Sequence, residues 1–129
     1  MRVALDTNAY SDFMRGLKWL EAVQQAKKVC LPLFVLGELR AGFLQGNRNT
    51  RNEADLERFI NTSRVEVLLP DSNTSRHYSV LVAQLRKQGT PIPTNDIWIA
   101  ALCIQFDLIF CSSDEHFDHI PQLARWHSP

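Results

Sequence analysis

Four short apolar segments, "RVAL" (2–5), "VCLP" (29–32), "VEVLL" (65–69) and "LIFC" (108–111), are each separated from the next by helical patterns. This arrangement constrains the fold more tightly than any other feature. Segments of four or five residues rich in Val, Ile and Leu are too short for buried helices and suit strands covered on both faces. Strands alternating with helices fold as an α/β domain with a mainly parallel sheet, because parallel neighbours need a crossover. The intervening pieces fit this reading. "FMRGLKWLEAVQQAKK" (13–28) predicts helical stretches broken near Gly16, and "LFVLGELRAGFL" (33–44) a largely buried helix that contains one acid, Glu38. "NEADLERFINT" (52–62) places Leu56, Phe59 and Ile60 on one face, and "SNTSRHYSVLVAQLRKQG" (72–89) does so with Tyr78, Leu81, Val82 and Leu85, stopped by Gly89. In "PIPTNDIWIAALC" (91–103) the apolar positions begin at Ile97, with Thr94 or Asn95 available to cap and Asp96 in the first turn. "LARWH" (123–127) reads as a short edge strand.

With 129 residues, 45% of them hydrophobic and 22% charged, the chain is expected to form one domain, spanning 1–129, with a core of its own. Fourteen basic residues balance fourteen acidic ones, so nucleic acid would not be bound by bulk charge. A nuclease remains compatible, since a metal-using site must be acidic and basic groups can be local. Arg40, Arg48, Arg51, Arg86 and Lys87 are the candidates for such a rim, each weighed against a solvated surface charge. No apolar run approaches the ~20 residues of a membrane span, and the start "MRVALDTN" lacks the apolar core of a signal peptide. Both point to the cytoplasm. Cys30, Cys103 and Cys111 lie in apolar contexts without CxxC spacing and read as small core residues of a reducing compartment.

Parallel α/β sheets bind ligands outside the carboxyl ends of their strands, where strand order reverses. Asp6 follows the first strand directly, and Asp114 follows the fourth by two serines. Asp96 opens the helix that leads into the fourth strand, and Glu38 lies about two turns into the helix after the second. An acid at a helix mouth has an ordinary explanation, complementing the helix dipole. Four acids brought to one edge have another. Carboxylates that close together cannot all stay ionised without a counter-charge. A hard divalent cation with all-oxygen ligands, Mg2+ or Mn2+, supplies it and serves phosphoryl chemistry.

At these residues the chain resembles the PIN-domain ribonucleases. "LDTN" after the first strand, "GELRAG" in a helix, "NDIWIAA" opening a later helix and "SSDEHF" after the last strand carry the likeness, in order, from residue 2 to about 126. It is nearest to the VapC toxin branch of type II toxin–antitoxin systems. The resemblance implies a three-layer α/β/α fold and a metal-dependent endoribonuclease with Asp6, Glu38, Asp96 and Asp114 as its acidic set. Asp6, Asp96 and Asp114 would hold the metal. Thr7, Asn8 and Ser112 would support ligands or water, Ser112 standing where the family often has threonine. An RNA substrate (transfer RNA among the candidates), a cognate antitoxin protein and a homodimer are implied as well. Arg40 and Arg86 are candidate contacts to RNA or antitoxin.

Several rival patterns deserve weight. "DEHFDHI" spaces His116 and His119 three apart, a possible zinc pair lacking a third nitrogen or sulfur ligand nearby. Asp118 is a lesser auxiliary acid, and His77 and His127 read as ordinary histidines. Trp19, Trp98 and Trp126 suit base stacking or packing, with packing favoured, above all for Trp98. Ser11, Ser112 and Ser113 lack the GxSxG context of a serine hydrolase. A receiver-like signalling domain would use Asp71 and need a lysine after the fourth strand, where serines and an acid stand instead. A haloacid-dehalogenase phosphotransferase would need an Asp at position 8, which is Asn8. A PIN-like domain kept only for binding has no reason to carry the full acidic set.

Overall fold

The computed structural model describes residues 1–127. Its elements run β1 (Arg2–Leu5), α1 (Thr7–Met14), α2 (Leu20–Gln25), β2 (Lys28–Pro32), α3 (Leu33–Gln45), α4 (Asn49–Ile60), β3 (Val65–Leu68), α5 (Ser72–Gln88), α6 (Thr94–Gln105), β4 (Ile109–Cys111) and a closing 3-10 turn (Glu115–His119). The four strands form one wholly parallel sheet in the order β3-β2-β1-β4. The helices flank this sheet as an α/β/α sandwich, as the apolar segments predict.

The sheet is buried on both faces, which is why its strands read as continuous apolar runs rather than alternating ones. Val3, Ala4 and Leu5 pair with Val29 and Cys30 on one side and with Ile109, Phe110 and Cys111 on the other. Ala4, Leu5, Cys30, Leu31, Phe110 and Cys111 have no solvent contact. All three cysteines are buried free thiols. Burial pushes the Cys111 thiol up to about 12, so it packs as a small apolar group.

Two local expectations need correction. The first helix does not wait for Phe13: α1 starts at Thr7, immediately after β1, because the Asp6 carboxylate caps it. It ends where Gly16 takes φ +70°, and Trp19, at φ +68°, sits in the left-handed region just before α2. Nor does Thr94 or Asn95 cap α6. Both lie inside the helix, Pro93 is the capping position, and no side chain bonds there; the Asp96 amide donates to the Pro93 carbonyl at 3.0 Å. "LARWH" reaches β4 only through one parallel bridge, Phe110 to Arg125. Asp71 closes a capping box with Thr74 at the start of α5 and accepts from Gln105 at 2.8 Å, a structural duty that removes the receiver-like reading.

Trp98 fixes the helical layer against the site. Its ring stacks on Tyr78 of α5 at 3.8 Å between centroids and lies 5.8 Å from Phe34 of α3. Packing is thus its role, as favoured from sequence. Trp98→Ala should therefore cost about 3 kcal/mol of stability in urea unfolding, the scale of large-to-small changes in packed surroundings. A loss under about 0.5 kcal/mol, ordinary for surface positions, would show that the stack is not structural.

Candidate functional site

The chain moves from β1 to β2 to β3 in one direction and then returns to the far side of β1 to form β4. Strand order therefore reverses between β1 and β4, and the crevice opens at their carboxyl ends. Asp6 and Asp114 leave these two strands at that point. Asp6 is only 6% exposed. One carboxylate oxygen accepts from the Ala9 amide at 2.7 Å, and the other accepts a hydrogen bond from the Ser112 hydroxyl. The same Ser112 oxygen accepts from the Asp114 amide at 3.0 Å. One hydroxyl thus ties the first acid to the loop carrying the last.

Asp96 enters from the first turn of α6, with its side chain 14% exposed. Asp114 caps the 3-10 turn by accepting from the His116 amide at 2.9 Å. That turn brings the His116 ring back over both acids: Nδ1 stands 2.9 Å from Asp96 Oδ2 and 3.2 Å from Asp114 Oδ1. Glu38, exposed on α3, accepts from the Thr7 hydroxyl at 2.7 Å, which joins the starts of two crossovers. Asn8 is exposed and lines a small cleft with Trp19, Ser113 and Asp114.

The electrostatics follow from this crowding. Burial raises the Asp6 carboxyl above its ordinary range; bonds from Ser112 and Ala9 oppose the rise, and Asp114 and Asp96 add to it. Burial likewise raises Asp96, with Asp114 and Glu38 adding repulsion and the His116 contact working against both. Among the described residues no lysine or arginine pairs with any of the four acids. Arg40 turns instead to Glu53 at 2.9 Å and Glu57 at 2.8 Å on α4, so it braces two helices. Arg86 lies exposed in the last turn of α5.

Donor atoms of Asp96, Asp114 and His116 lie within 4.8 Å of one another, close enough to share one ion. The donors are mostly carboxylate oxygens in a partly dehydrated crevice with excess negative charge, which fits a hard divalent cation. The His116–His119 zinc pair does not form a cluster among the described residues; His116 joins the acids without His119. Its place at the acids was missed from sequence. The available signal was Asp114 two residues before His116, since an acid that caps a tight turn brings the residue after next back toward it.

A PIN domain family model matches residues 3–123. The chain belongs to the PIN-domain family. Ribonuclease VapC2 of Haemophilus influenzae is 33% identical to it over 117 residues, 88% of this chain and 87% of that one. Among solved structures, VapBC-1 from nontypeable Haemophilus influenzae superposes with a TM-score of 0.86 at 26% identity, covering 98% of this chain and 97% of that one. A member of the VapBC family of toxin–antitoxin systems, VapBC-5 from Mycobacterium tuberculosis, gives 0.73 at 26% identity, with 95% and 93% covered. Within the family this PIN domain stands with the VapC ribonucleases.

The raised Asp96 carboxyl has a measurable consequence. A carboxylate that is harder to ionise in the folded than in the unfolded state destabilises the fold at pH values above its folded pKa, and the penalty vanishes as pH falls below it. In EDTA at pH 8, Asp96→Asn should therefore melt above the wild type, and the gap should close on acidification. About 10 mM magnesium should raise the wild-type Tm and do so much less for the variant, since an ion bound only to the fold stabilises by mass action. A variant less stable than wild type in EDTA, with an unchanged magnesium response, would return Asp96 to a helix-dipole role.

Proposed function

We propose that this PIN domain is a Mg2+- or Mn2+-dependent endoribonuclease acting as the toxin of a toxin–antitoxin pair. The observation that supports the reading is the cluster of Asp96, Asp114 and His116, with Asp6 and Glu38 near enough to act on it electrostatically and, among the described residues, no lysine or arginine paired with any of the four acids. The similarity to VapC ribonucleases and to VapBC assemblies supports the substrate class and the partner.

Asp6, Asp96 and Asp114 would hold the ion, with Glu38 completing the site or orienting the attacking water. A divalent ion held there would neutralise charge at the phosphate and lower the pKa of a water, so that it could lose a proton and attack as hydroxide. The chain's own residues provide the geometry. Ser112 fixes the Asp6 carboxylate and the Asp114 backbone, Thr7 orients Glu38, and Asn8 stands at the rim to hold water or substrate. His116, with its side chain 46% exposed, spans Asp96 and Asp114 and can swing outward to free them or stay as a nitrogen donor. No side-chain nucleophile is required. Arg86 remains a candidate contact to RNA or antitoxin; Arg40 serves α4 first.

An acidic crevice of this kind suits a basic segment of an antitoxin, whose arginine would bond Asp96 or Asp114 in place of the ion. A homodimer and a cytoplasmic place of work complete the proposal. Three buried free thiols support the latter, and no helix among the described residues is long and apolar enough to cross a membrane.

Purified free of any partner, the protein should cleave RNA, transfer RNA included among the substrates assayed, only with magnesium or manganese present. Asp6→Asn and Asp96→Asn should each lower turnover by more than about 100-fold, the scale that even outer-shell changes reach. Ser112→Ala should weaken the metal requirement curve by about 10- to 100-fold for the same reason. Cleavage that persists in excess EDTA, or in both Asn variants, would exclude this site. Expression should arrest growth and coexpression of a cognate antitoxin relieve it; harmless expression of active protein would remove the toxin assignment.

A further inference from the structure

Beside the acidic crevice lies a second, larger cleft of about 800 Å3. Its walls include Lys18, Trp19, Ser113, Phe117, Arg125 and Trp126. It is continuous with the metal-binding edge, because Trp19 and Ser113 also line the small cleft that contains Asn8 and Asp114. Ser113 separates Ser112 from Asp114 in the chain, so the opening lies within one residue of the acids.

The walls offer aromatic faces and, among the described residues, one lysine held by no acid. Trp19 and Trp126 are both only half-buried. Arg125 is committed, donating to the Ser112 carbonyl at 2.8 Å and to Asp118 at 3.1 Å. Glu21 holds Gln25 at 3.1 Å, and Asp118 is taken by Arg125. Among the described residues Lys18 is paired with no acid. It donates to the Ser113 hydroxyl and stands 4.7 Å from the centre of the Trp19 ring. Trp19 also carries two local costs. Its backbone is left-handed at φ +68°, rare for a bulky residue, and its indole N–H finds no partner among the described residues. Strained and unsatisfied positions of this kind concentrate at binding sites. Trp19 and Trp126 both pack against the core on one side, which fixes them as cleft walls.

We propose that this cleft seats one unpaired base of the RNA strand that crosses the acidic site, stacked on Trp126 or Trp19, with Lys18 on an adjoining phosphate. This rests on the nuclease reading and adds to it a base-binding subsite beside the acids. A base in a duplex has both faces covered and cannot enter, whereas an extruded base offers a planar face that any indole can take. Volume agrees, since small-ligand sites run to about 300–1,000 Å3. Charge agrees as well: Lys18, which has no acidic partner among the described residues, lies beside Ser113, on the side toward the acids.

The test measures binding of fluorescent single-stranded octaribonucleotides of adenine and of uracil by anisotropy, with calcium in place of magnesium to limit turnover. Trp126→Ala and Trp19→Ala should weaken binding about 5- to 100-fold each, and Trp126→Phe should restore most of the loss. Lys18→Ala should flatten the dependence of log affinity on log salt by about 0.7. An abasic octamer of equal charge should bind the wild type as poorly as the full octamer binds Trp126→Ala. This arm and the Lys18 variant decide the matter even if a tryptophan variant fails to fold. Equal binding of abasic and full octamers, or no octamer binding by the wild type, overturns the proposal. So does a loss confined to affinity for a partner protein, which would give the cleft to a polypeptide segment. Cleavage in magnesium is scored separately: base-dependent binding without cleavage sinks the nuclease reading alone, and cleavage indifferent to these variants and to the abasic site sinks this one.

Discussion

The Ser112 hydroxyl, shared between the Asp6 carboxylate and the Asp114 amide, joins the ends of β1 and β4 where strand order reverses. A parallel sheet fixes strands laterally through backbone bonds but leaves their carboxyl ends to diverge into separate loops. Here those loops must stay together although each carries an acid. The hydroxyl does this by donating to one and accepting from the other. Because Asp6 also caps α1, the same carboxylate sets where the first crossover begins. Site and fold thus share one residue, and the start of the first helix cannot move without moving the acid.

That sharing carries a cost in free energy. Burial and mutual repulsion hold Asp6 and Asp96 above the usual carboxylate range, so the crevice is strained whenever its acids are ionised. Two things in the chain itself moderate this. Backbone and hydroxyl donors stabilise the Asp6 charge, and His116 sits between Asp96 and Asp114. Tension of this sort is what proteins commonly retain where binding and stability conflict.

The strands and the general position of the acids were legible because both depend on local pattern. An apolar run of four residues in a doubly covered sheet has few other fates, and an acid immediately after such a strand must lie at its carboxyl end. Less legible was everything set by three-dimensional approach. That Asp6 caps α1 was hidden because "DTNAYSD" shows no apolar periodicity to announce a helix before Phe13. Pro93 took the capping place from Thr94 and Asn95 because its carbonyl already accepts from the Asp96 amide, with no side chain needed. Arg40 stands near Glu38 in sequence, yet a helix turns residues two apart onto different faces, and its partners came from α4. His116 looked like half of a histidine pair until the 3-10 turn folded it over the acids.

The three tryptophans show why a residue type alone does not assign a role. Trp98 has aromatic neighbours on two helices and packs with them. Trp19 and Trp126 lie near opposite ends of the chain, at the start of α2 and beyond the 3-10 turn, and meet at one cleft only because β4 is added beside β1. The reversal of strand order that gathers the acids therefore also brings these indoles to the same edge. An acidic ion site alone recognises any phosphodiester, since phosphates are alike along a strand. Discrimination has to come from surfaces that touch bases, and the nearest such surface is the one the same topological step creates.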